Sequence, residues 1–237
     1  MSQIEALSVL VQIAVIARLW AIRLGYVAFL VLMAFSVMSH SVAGLMLSNP
    51  STDIHSKVYH QFWSYTVVIL VGLQVRAALE LLRRWIAEYP GLRVPLLLAG
   101  GLVSFVVGGT FLAYWPASAD PNYLVKSARL VEQAAGTGLA VYLGIVCGVL
   151  WLLFPAARKN LRKHALLFAS MMVASALATW IGARANWWFS PTLIAIYCGY
   201  LTLSPAGEIP IAPSRPGDPE QAYSALAAAV RGLGPRS

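Results

Sequence analysis

Charge is what this chain has least of. Asp, Glu, Lys and Arg together make up 11% of its 237 residues, against about a quarter in a soluble domain, which excludes a water-facing globular surface. Cysteine is nearly missing as well. Cys147 and Cys198 stand alone inside apolar runs and read as small apolar packers, so a disulfide framework and a cysteine-based metal site are excluded. The ten-residue alternation of an outer-membrane barrel strand is absent, because the apolar residues come in continuous runs. No acid or base falls at the middle of any such run, which weighs against proton-coupled or ion-coupled transport.

What the chain has in abundance is hydrophobic length. Apolar residues make up 59% of the sequence and the mean hydropathy is +0.71. A hydrocarbon layer about 30 Å thick needs roughly 20 apolar residues per helix. The runs predict an all-α polytopic transmembrane bundle of seven spans: Ile4 to Ala21, Tyr26 to Leu47, Phe62 to Leu82, Val94 to Trp115, Ala134 to Phe154, Ala165 to Ala183 and Trp187 to Leu203. The first run is short and carries Gln12 and Arg18. Its leader holds Glu5 and no base, and no small-residue cleavage site follows, so it reads as a span and not as a signal peptide. Six spans, without this run, is the fallback. Pro191 is expected in the first turn of the seventh span, where the amide it lacks would be unpaired.

The basic residues give the bundle an orientation. Arg18, Arg23, Arg83, Arg84, Arg93, Arg158, Lys159, Arg162 and Lys163 follow spans one, three and five, whereas the opposite connections hold only Lys57, Lys126, Arg129 and Arg184. The Lys and Arg bias puts the N-terminus outside and the C-terminus in the cytoplasm, and Arg76 can snorkel to the inner interface. Trp20, Trp85 and Trp151 fall at expected inner ends; Trp63, Trp115, Trp180, Trp187 and Trp188 fall at outer ends. Both levels suit tryptophan. The net charge of +8 is accounted for by the inward-facing loops and by attraction to anionic lipids at the cytoplasmic face, so no nucleic-acid partner is expected. The expected localisation is the cytoplasmic (inner) membrane.

Residues 1–204 form the membrane domain and residues 205–237 a cytoplasmic tail. Pro205, Pro210, Pro213, Pro216 and Pro219 keep the first half of the tail extended. A short helix is expected over about 219–233, started by Asp218-Pro219 and stopped by Gly234-Pro235. Small residues four apart predict close helix packing: Gly100, Ser104 and Gly108 in span four, Gly136, Ala140, Gly144 and Gly148 in span five, Ser170, Ala174, Ala178 and Gly182 in span six. These three spans are expected at the packed centre. The ordinary meaning of such stripes is packing within one chain; a seam for a homo- or hetero-oligomer is the other.

Candidate sites are few. His40 lies in the outer half of span two, and with Tyr65, Trp115 and Glu132 it could line a cavity for a lipophilic ligand. The alternative for His40 is an intrabundle hydrogen bond. His60 sits at the interface while His40 lies about 12 Å deeper, a poor match for two haem ligands at one depth. Glu80 has Arg76 and Arg84 four residues away on either side, so a local ion pair is expected. No metal site or cofactor is expected, haem or a pigment being the alternatives weighed.

Ser36 and His40, spaced S-x-x-x-H, resemble part of the motif of the seven-span zinc hydrolases related to alkaline ceramidases and adiponectin receptors. That family also needs an H-x-x-x-H pair near the last span, and none is present; one Ser and one His fall short of the three protein ligands of a catalytic zinc. The seventh span has no Lys for a retinal Schiff base, and the Pro-Gln pair of 3+1+3 sugar carriers is absent. Tyr59, Trp63, Glu80 and the Tyr89-Pro90-Gly91-Leu92 turn resemble a loose set of uncharacterised bacterial seven-span proteins. The resemblance covers the first half of the chain and implies no activity.

These features predict a non-enzymatic subunit or scaffold of a membrane assembly. A seven-span receptor or sensor for a lipophilic ligand is the first alternative, and a transporter or membrane enzyme the second.

Overall fold

A computed structural model describes residues 3–21, 26–48, 57–117, 122–153, 159–182 and 186–203. The regular elements within them are all helical: α1 (Gln3–Ala21), α2 (Val27–Ser48), α3 (Lys57–Glu88), α4 (Arg93–Leu112), α5 (Tyr123–Leu153), α6 (Lys159–Ile181) and α7 (Asn186–Leu201), with a 3-10 turn at Pro90–Leu92. Apolar sequence that must satisfy its own backbone groups in lipid has helix as its simplest solution. Among the described residues, five segments are long and apolar enough to cross a membrane: Val27–Met46, Lys57–Glu88, Pro90–Leu112, Tyr123–Val149 and Lys159–Ile181. A shorter apolar stretch, Leu7–Ala21, belongs to α1, and α7 has 16 residues. The expected tail and its helix lie outside the described residues.

Six helices close into a ring. Helix α1 packs on α2, α2 on α3, α3 on α5, α5 on α6, α6 on α7, and α7 returns to α1. The ring is filled by Trp85, Tyr26, Tyr200, Phe29, Phe168, Met33, Leu143 and Met172, all fully buried. Helix α4 stands outside it, packed on α5 and tied to the end of α3 through the 3-10 turn, with Leu96 its one buried residue. The small-residue stripe had suggested that α4 shares the packed centre with α5 and α6. Hydropathy does not distinguish the two positions, because lipid tails are as apolar as a core.

Other departures from the expected elements have local causes. Helix α3 has 32 residues, about 48 Å at helical rise, and α5 begins at Tyr123 instead of near Ala134. A helix continues past the hydrocarbon wherever its residues favour it, as Glu80, Arg83, Arg84 and Glu88 do in α3. Pro191 is the sixth residue of α7 and so lies inside the helix, beyond the first turn. Trp85 is expected at the headgroup level but is 0% exposed, stacked on Tyr89 at 6.0 Å.

The glycines divide by what surrounds them. A Cβ on Gly136 would stand 3.8 Å from the Ala176 backbone, so it serves the α5–α6 approach; one on Gly100 would meet the Tyr142 ring at 3.3 Å. Gly108, Gly144 and Gly148, expected in helix seams, have nothing within 4 Å of that position. Gly182 faces the Arg129 guanidinium of α5, 3.9 Å from where a Cβ would stand. Its φ of +69° suits the left-handed stop of α6, a conformation glycine adopts without steric cost.

Candidate functional site

The four residues expected to line an outer cavity sit on α2 (His40), α3 (Tyr65), α5 (Glu132) and just past the end of α4 (Trp115). The His40 ring, on an exposed face of α2, donates from Nδ1 to the Ser36 carbonyl of its own helix at 2.7 Å and meets Trp63 edge-on at 6.1 Å. Tyr65 is 62% exposed on α3. Trp115 donates from Nε1 to the Tyr123 hydroxyl at 3.2 Å, and Glu132 is half-buried on α5. No hydrogen bond or ring contact joins any two of the four. Nearby polar groups instead stitch α5 to α6: Gln133 donates to the Thr179 carbonyl at 3.2 Å, and Trp180 Nε1 donates to Thr137 Oγ1 at 3.0 Å.

At the opposite end of the bundle, where α1, α3 and α7 end and α2 and α6 begin, polar side chains join the helix ends to one another. There the Glu80 carboxylate accepts the Val27 amide on Oε1 at 2.9 Å and the Ala28 and Phe29 amides on Oε2 at 2.9 and 3.4 Å. These are amides that a helix start leaves without intrahelical partners, and a negative charge is favourable beside them. The expected ion pair with Arg76 or Arg84 is replaced by this cap, and Arg84 stacks over the Tyr26 ring at 4.2 Å. Arg18 does the complementary work at a helix end, donating from Nη2 to the Leu203 carbonyl at 3.0 Å just past α7. Between these caps, His164 is wedged against Tyr26 at 4.1 Å, Phe29 at 4.9 Å and Tyr200 at 5.5 Å. It is 1% exposed, and its Nδ1 has no hydrogen-bond partner. This constellation holds helix ends together.

The space that can take a ligand lies on the flank. Because α4 stands off the ring, a groove of about 450 Å³ opens between it, α3 and α5. Val75 and Leu79 form its α3 wall, Gly101 and Ser104 its α4 wall, and Gly138 and Tyr142 its α5 wall. The Tyr142 hydroxyl is already spent on the Leu96 carbonyl at 3.1 Å, which leaves an almost wholly apolar lining. That volume lies in the range of small-molecule sites. Along α4 the lining runs from Leu96 to Gly108, about 18 Å at helical rise, or a little over half of the hydrocarbon thickness.

Gly100 and Gly108, expected as packing residues, both line the groove: Gly100 also admits the Tyr142 ring of α5, whereas Gly108 has open space beside it. A small-residue face permits close approach, and it equally leaves room where no helix approaches. Comparison with known protein families, with characterised proteins and with solved structures finds no match to this chain.

Proposed function

We propose that this is an integral membrane protein that receives a lipophilic molecule from the bilayer into the lateral groove between α3, α4 and α5, as a receptor or sensor. The observation that carries the proposal is the 450 Å³ apolar space walled on α4 by Gly101 and Ser104, residues too small to fill it. In this proposal the chain crosses the cytoplasmic membrane of a bacterium seven times, N-terminus out and C-terminus in. The Lys and Arg bias and the uniform polarity of the helix ends support that arrangement.

Filling the groove tests the proposal. Nothing stands within 4 Å of a Cβ on Gly101, so Gly101→Leu adds bulk to the groove without a clash. Binding of a lipophilic fluorescent probe should fall at least tenfold in Gly101→Leu and stay unchanged in Leu98→Ala, on the outer face of α4. Equal binding by wild type and Gly101→Leu would remove the basis of the reading.

A second reading, a non-enzymatic subunit or scaffold of a membrane assembly, draws on that same outer face. Leu98, Leu102, Phe105 and Leu112 are 69, 66, 80 and 69% exposed and could be covered by a partner helix as well as by lipid. Purification in mild detergent as a lone monomer would count against it.

A further inference from the structure

The groove has a chemically marked end. On α3, Arg83 stands four residues beyond Leu79 and eight beyond Val75, so it continues the stripe that walls the groove. Arg93, the first residue of α4, stands four before Leu97 and eight before Gly101, and continues the facing stripe. Both arginines are exposed, and neither guanidinium has a hydrogen bond or ion pair among the described residues. The 3-10 turn Pro90–Leu92 joins their two helices, which keeps the two charges at one mouth of the groove. The lining itself carries no charge.

The geometry points to an anionic phospholipid as the occupant, with one acyl chain in the groove and its phosphate between Arg83 and Arg93. This rests on the groove being the binding site proposed above and adds the class of ligand. An apolar slot about 18 Å long matches the depth of one leaflet. Arginine presents a planar fork of donors suited to phosphate oxygens. Of the other cations at this end, Arg84 lies over Tyr26, Arg162 over Trp151 and Arg18 caps α7, while the exposed Lys159 and Lys163 stand on α6, which contributes nothing to the groove lining. Arg83 and Arg93 are the pair that continues the groove's own walls.

The test uses the full chain reconstituted in vesicles of phosphatidylcholine and phosphatidylglycerol with identical acyl chains, followed by mild extraction and native mass spectrometry of retained lipid. Wild type should retain phosphatidylglycerol at least tenfold over phosphatidylcholine. Arg83→Gln with Arg93→Gln should bring the ratio near one while retention of phosphatidylcholine persists, and Gly101→Leu should lose both lipids. Lys159→Gln with Lys163→Gln, exposed lysines at the same end on α6, should leave the preference intact. Equal retention of the two lipids by wild type overturns the headgroup assignment and leaves the groove reading standing; retention of neither overturns both. A preference erased as fully by the lysine pair as by the arginine pair also overturns it, since a diffuse basic face would then be the cause.

Discussion

Glu80 and Val27, 53 residues apart, meet at 2.9 Å with the carboxylate of α3 accepting the first amide of α2. Tyr26, which occupies the cap position, has no side-chain acceptor suited to that role and packs on His164 instead. A neighbouring helix therefore supplies the cap that the local sequence lacks. Glu80→Ala should lower stability by about 1–2 kcal/mol, the worth of an N-cap plus a charge at a helix start, and Glu80→Gln by less. Unfolding followed by tryptophan fluorescence in detergent measures both. An unchanged midpoint for Glu80→Ala would show the cap to be energetically idle.

His164 invites a substitution of unusual sign. A buried ring nitrogen without a partner costs free energy that an apolar ring of similar shape avoids. His164→Phe should be neutral or stabilising by about 1 kcal/mol, whereas His164→Ala should cost about 2–4 kcal/mol by opening a cavity among four aromatic rings. Comparable losses in both variants would mean that the imidazole has a bonding partner in the membrane.

Gly199 and Leu167 should couple. A Cβ on Gly199 would stand 2.6 Å from Leu167 Cδ2, so Gly199→Ala must push that side chain aside at a cost of about 1 kcal/mol or more. With Leu167→Ala in the background the clash is gone, and the intrinsic helix preference for Ala over Gly, about 1 kcal/mol, should make the same change favourable. Additive effects in the double-mutant cycle would contradict this contact.

Orientation can be read with two single cysteines. In a chain with Cys147 and Cys198 replaced by Ala, Lys57→Cys at the start of α3 should react with a membrane-impermeant maleimide in intact cells. Arg93→Cys, at the start of α4, should react only after permeabilisation. The reverse pattern would invert the topology, and labelling of both from outside would mean that α3 does not cross.

Hydropathy located the helices because continuous apolar runs in lipid have few other solutions. It could not locate α4, since an apolar face against lipid and one against protein have the same composition. Nor could it anticipate what Glu80 and Arg18 do: their partners are backbone amides and a carbonyl, which every residue carries and no sequence pattern marks. The nearest charged residues, Arg76 and Arg84, offered a local explanation that the packing of α2 on α3 overrides. The ligand-site candidates His40, Tyr65, Trp115 and Glu132 make no hydrogen bond or ring contact with one another for a related reason: the direction each faces around its helix is not marked in the sequence.

The bond from Arg18 to Leu203 closes the ring across 185 residues. Synthesis at roughly 5–20 residues per second puts about 10–40 seconds between the emergence of these two partners. Throughout that interval α1 is in place without the neighbour that seals it, and the guanidinium of Arg18 is without its carbonyl. A helix that carries Gln12 and Arg18 thus waits longest for its contacts. Truncation before α7 should leave it the first segment exposed to membrane quality control.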